Sequence, residues 1–139
     1  MNLALVSAAI ETRITGDTGA GGLMETGGGL INGVYFDTPI GGAGLPFIVV
    51  SFPSSDQDDT FAGDAVDITV EFVVAIERRS GTFATDSDIL KRLEARFHRW
   101  VMTLTGYNAT AMGRVTGTTL HDEQRRHYVE QYTVRVEEA

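Results

Sequence analysis

The chain has 139 residues, of which 42% are hydrophobic and 22% charged, with no cysteine and a net charge of −8. One domain of that length buries about two thirds of its unfolded surface, and the composition excludes wholesale disorder, disulfides, thiolate metal sites and thiol nucleophiles. No apolar run approaches the roughly 18–20 residues of a membrane-spanning helix, and so acidic a chain does not grip DNA by neutralising phosphates.

The charge is unevenly spread. Residues 1–76 hold ten acidic residues and a single basic one, Arg13, whereas residues 77–139 hold nine acidic and ten basic residues. Nearly all the basic charge is arginine, with Lys91 the one lysine. An acidic surface repels DNA, which suits a channel that must not hold its cargo.

In chain order, Leu3, Val6, Ile10 and Ile14 fall at helical spacing among helix-favouring alanines, so residues 2–14 are predicted to form an amphipathic helix that docks on the rest of the fold. With no basic region ahead of its apolar residues, it reads as a mature helix and not as a signal peptide. Gly16 ends it. Residues 15–45 contain eleven of the sixteen glycines, which disfavour regular structure because glycine loses the most entropy on ordering. The expectation for 16–45 is a long glycine-rich arm that orders only against partner subunits, or else a mobile loop without a role. Within it, Leu30-Ile31 and Val34-Tyr35-Phe36 are apolar enough for short strands or docking points.

Residues 46–52, PFIVVSF, are apolar at both parities and read as an interior strand. The acidic connection 53–64 would be a hairpin tip if the flanking strands pair. Phe61 stands there among Asp56, Asp58, Asp59 and Asp64, either as a contact site or as part of a solvated loop. Val66 to Ile76 gives the clearest period of two: Val66, Ile68, Val70, Phe72, Val74 and Ile76 share one face, with Asp67, Thr69 and Glu71 on the other. At about 3.3 Å per residue this run spans roughly 36 Å, long for one strand. Its first half, with Asp67 and Glu71 outward, is expected to reach beyond the domain toward a neighbour. Its second half, where Val73 and Ala75 are also apolar, is expected to be covered on both faces and to lie under the next helix.

That helix is predicted from Thr85, as cap, with Asp86 and Asp88 in the first turn where the helix dipole favours negative charge. Its stripe is Ile89, Leu90, Leu93, Phe97, Trp100, Val101 and Leu104, ending near Thr105-Gly106. Lys91, Arg92, Arg96 and Arg99 stand on its other faces, either solvated or pairing with the acidic half of a neighbouring subunit. Residues 111–121 and Tyr128–Val136 read as two closing strands, joined by the charged tip 121–127. The fold class is α+β: a mostly antiparallel sheet of about four main strands packed with two helices, plus the arm and a β-hairpin, as one domain over 1–139.

Residues for chemistry are sparse. No Gly-Lys-Ser/Thr follows the glycine runs, and Met24 stands where a dinucleotide fingerprint needs glycine. The aspartates of 56–64 lack the ligand order of a calcium loop. His121, Asp122, Glu123 and His127 would diverge on a hairpin tip instead of converging on a metal. The reading is of no enzyme, no cofactor and no metal.

The helix LALVSAAIETRI, the passage VYFDTPIGGAGLPFIVV, the strand VDITVEFVVAIERRSG, the helix DSDILKRLEARFHRWV and the strand YVEQYTVRV occur in an order that resembles the tail-terminator (tail-completion) proteins of long-tailed bacteriophages. The resemblance implies a non-enzymatic virion protein, made in the host cytoplasm, that forms a hexameric ring at the top of the tail tube. Such a ring stops tube polymerisation and offers a surface for head–tail joining. The implied partners are other copies of the chain, the major tail tube protein and the head–neck connector, with genomic DNA passing through the lumen unbound and no membrane involved. The candidate interface residues are Asp56, Asp58, Asp59, Phe61, Asp67, Glu71, Arg92, Arg96 and Arg99. Another ring-forming neck component, such as a head-completion or stopper protein, and a small monomeric α+β ligand-binding domain are the alternative readings.

Overall fold

The structure, a computed structural model, describes residues 3–25, 31–38, 44–53, 65–77, 83–121 and 125–139. Its elements are α1 (Leu3–Thr15), β1 (Val34–Phe36), β2 (Phe47–Ser51), β3 (Val66–Glu77), α2 (Ala84–Phe97), β4 (Tyr107–Ala109), β5 (Gly113–His121) and β6 (Arg125–Glu138). The strands form one six-stranded sheet in the order β1-β2-β3-β6, and β6 carries β5 and β4 one after the other along its far edge. Only β1 and β2 run parallel. The α+β architecture expected from the sequence is the one found.

Both helices pack on one face of this sheet. The predicted stripe of α1 holds, with Val6, Ile10 and Ile14 fully buried. They join Ile48, Val50, Ile68, Val70, Phe72, Val74, Val134 and Val136 from the sheet, and Ile89, Leu93 and Phe97 from α2, in one core. Phe72 is at its centre, 4.6 Å from the Phe97 ring and edge-on to Tyr132 at 5.5 Å. The alternation read from Val66 to Ile76 is this face of β3.

Four expectations are corrected. First, β3 does not project from the domain: it pairs with β6 along its whole length, from Val66↔Val136 to Glu77↔Arg125, and Ile68 and Val70 in its first half are fully buried. Its length is absorbed by an equally long partner.

Second, α2 starts after Phe83, with no side-chain cap, and stops at Phe97. His98 turns extended and Arg99 takes φ 66°. The chain then exchanges backbone hydrogen bonds with the segment before β5, from Arg99 N to Met112 O and from Met112 N to Trp100 O. Trp100 and Leu104 therefore reach the core from a loop, and Val101 is exposed. An apolar spacing compatible with helix continued, but a strand-like pairing won.

Third, the start of the glycine-rich segment is folded onto its own chain. Asp17 organises it: the Leu23 amide donates to its carboxylate at 2.8 Å and the Met24 amide to its carbonyl at 3.0 Å. Gly21 has φ 80°, and a Cβ on Gly22 would collide with the Asp17 carbonyl, so glycine is what permits this turn. Leu23 and Ile31 then enter the core. Fourth, the predicted charged tip is shorter than 121–127: β6 begins at Arg125, and Arg126 is buried.

Candidate functional site

Strand register assigns every sheet residue to a face. On the face away from the helices, Tyr35, Val49, Val73, Val129 and Thr118 form one row across five strands. The next row is Phe47, Ala75, His127 and Leu120. Val49, Val73 and Val129 are only partly buried, and Leu120 is exposed. Among the described residues no helix lies on these rows. Tyr35 packs edge-on to Phe47 at 5.8 Å, and the Arg125 guanidinium lies 5.6 Å from the same ring.

Further along the same face the rows become polar: Ser51, Glu71, Gln131 and Thr116, then Thr69 and Thr133, then Asp67 and Arg135. Gln131 Nε2 donates to Glu71 Oε2 at 3.0 Å, and Asp67 lies 3.6 Å from Arg135. On this face the apolar rows thus lie between the terminal Glu77–Arg125 row and the polar and charged rows, with Phe47 and Ala75 buried and Val49, Val73 and Val129 half-buried. The sequence signal for these apolar rows was the doubled apolar parity of Val49-Val50 and Val73-Val74-Ala75, read there as burial on both sides; Ala75 is buried, while Val49 and Val73 are half-buried.

The other named residues have different surroundings. Arg96 Nε donates to Asp17 at 2.7 Å; Arg92 bonds Glu25 at 2.8 Å, the Gly22 carbonyl at 2.8 Å and Asp88 at 3.2 Å. The hydrogen bond from Arg92 holds the Glu25 carboxyl below its ordinary range. The acids that meet these arginines do come from the first half of the sequence, together with Asp88 of α2 itself, but they belong to the same chain and not to a neighbour. Arg99 is exposed at the left-handed turn after α2. Asp56, Asp58, Asp59 and Phe61 lie outside the described residues.

One polar cluster escaped the sequence reading. Asp86, 2% exposed, accepts two hydrogen bonds from Arg126 at 2.6 and 3.0 Å and one from Tyr128 at 2.5 Å. Burial pushes the Asp86 carboxyl up, but the Arg126 and Tyr128 hydrogen bonds outweigh it and leave the group below its usual value. Burial, and then the Asp86 carboxylate, push Tyr128 up to about 12. The cluster fastens the first turn of α2 to the start of β6.

An open groove of about 420 Å³ separates Leu5, Ala8 and Ala9 of α1 from Trp100, Val101 and Leu104. Among the described residues no three His, Asp or Glu side chains converge as a metal site, and no helix is long and apolar enough to cross a membrane.

No protein-family model matches the chain, and no curated protein matches it by sequence. Solved structures do share the fold. One, which carries no descriptive name, superposes with a TM-score of 0.72 at 16% identity, covering 100% of this chain and 98% of that one. Another is a chain of the virion of a native gene transfer agent particle, with a TM-score of 0.63 at 15% identity and 96% of each chain covered.

Proposed function

We propose that the chain is a structural virion protein, without enzymatic activity, that assembles into a ring at the top of a tail tube. There it terminates tube polymerisation and provides the surface for head–tail joining. The observation that carries this reading is the end-to-end match of its fold to a component of a gene transfer agent virion, added to the resemblance of its element order to tail terminators. The half-buried Val49, Val73 and Val129 and the exposed Leu120 on one sheet face support it, because an apolar surface patch marks an association surface. Asp67, Glu71 and Arg99 remain candidates for contacts with neighbours, tube or neck, as do Asp56, Asp58, Asp59 and Phe61. The acidic net charge supports a lumen through which DNA slides unbound.

Deletion of the gene tests the role. Over-long tails identify a terminator, whereas tails of normal length left unjoined to heads identify another neck component. Particles of normal form and yield would refute a structural role in the virion altogether.

A further inference from the structure

The outer strand β5 presents an edge that the fold leaves open. It pairs with β6 on one side only. At its start the other side is occupied, by the Met112–Trp100 exchange and by the Arg114 amide on His98 Nδ1 at 3.4 Å. Beyond Arg114, the described residues offer the outer edge of Val115–Leu120 no hydrogen-bond partner. Every side chain from Arg114 to Leu120 is exposed, with Val115 at 59% and Leu120 at 54%.

Natural edge strands are guarded by brevity, lysine, proline or a bulge, because unpaired backbone groups template association. The stretch Val115–Leu120, VTGTTL, contains no charge and no proline. Its one irregularity, between Arg114 and Thr116, lies at the already occupied end. β-branched Val and Thr fill four of its six positions, a composition that favours strand.

Charge identifies the occupant. The topology lays β1 and β2, from the acidic first half, at one flank of the sheet, and β4 and β5, from the second half, at the other. Asp37 is exposed just after β1, while Arg99 is exposed beside β5, where Arg114 is already paired with Glu130. Unlike flanks attract, so successive copies meet head to tail, the heterologous arrangement that closes into a ring. We infer that the free edge of β5 is the self-association edge of this protein and takes a strand from the acidic flank of the next copy. The row Tyr35–Val49–Val73–Val129–Thr118 then continues across the junction, and Leu120 is covered. This rests on the ring reading proposed above.

The test combines native mass spectrometry with hydrogen exchange on the full chain, at concentrations bracketing assembly and with or without purified tail tubes. The expected result is an assembled species in which the Val115–Leu120 amides facing away from β6 exchange at least tenfold more slowly than in the monomer. The double variant V115K/L120K alters only exposed side chains. It should keep the monomer's melting temperature and raise the dissociation constant at least tenfold. An assembly whose β5 amides exchange at the monomer's rate, or one unaffected by the double variant, overturns the edge assignment and leaves the ring standing. A monomer under every condition overturns both.

Discussion

The Asp86 cluster makes the sharpest demand on stability. Replacing Asp86 with alanine removes the acceptor of three hydrogen bonds and strands the Arg126 guanidinium, 7% exposed, without its counter-charge. Breaking a buried pair from one side costs about 3–5 kcal/mol, a large share of the roughly 5–15 kcal/mol that holds a domain together. At this chain length that corresponds to a fall in melting temperature of about 10–15 °C. D86N, which retains one acceptor oxygen, should lose less. D86L combined with R126M removes both charges and should recover most of the loss, since an apolar pair of similar volume often replaces a buried ion pair without cost. Urea unfolding of the wild type, D86L, R126M and the double variant measures the coupling. A loss below about 1 kcal/mol for D86A, or strict additivity in the cycle, would refute the argument that the cluster fastens α2 to the sheet. The pH dependence has a definite sign. The folded-state pKa of Asp86 lies below its unfolded value, so its contribution is complete above the unfolded value near 4. It is lost as pH falls through the lower folded value, and D86N should flatten the acid limb of the stability curve.

Two further outcomes are expected. Charge reversal at Arg92 and Arg96 should expose the 16–25 segment of the monomer to limited proteolysis, because both side chains hold that segment to α2; unchanged cleavage together with lost assembly would place their function in the subunit contact instead. At Gly117 an added Cβ would sit 2.6 Å from Glu130 Oε2 and collide with the Arg114 guanidinium, so G117V should break the 2.8 Å Arg114–Glu130 pair and loosen β5 from β6, seen as faster exchange of the β5 amides that bond β6. Wild-type exchange in G117V would show that the pair tolerates the crowding.

Elements whose side chains repeat with the backbone's own period were legible in advance. The α1 stripe at Val6, Ile10 and Ile14 and the alternation of β3 follow from one buried face per element; the antiparallel β2–β3 pairing, left conditional in the sequence, is found. What escaped was decided by backbone partners distant in sequence. The end of α2 depends on Met112, whose amide and carbonyl capture the chain at Arg99 and Trp100 before the apolar stripe runs out. Within the glycine-rich segment Ile31 and the Val34–Phe36 strand were legible, but the turn at its start was not, because its organiser is one carboxylate, Asp17, whose partner Arg96 lies 79 positions away. Arg126 read as part of a solvated tip, since nothing near it in sequence announces Asp86. The doubled parity at Val73 and Ala75 was read as cover on both faces, which holds for Ala75, whereas Val73 is only half-buried; parity alone does not say how much lies above each row.

The central position of β6 has a consequence for the order in which the molecule is made. β3 leaves its far edge open until β6 has been synthesised, after α2, β4 and β5 have all been produced. The sheet is therefore a late, long-range closure, the slow kind of folding step, in which loop entropy is lost before contacts reward it. β5 acquires its place only through β6. A nascent chain thus has no seated outer strand until β6 has been made.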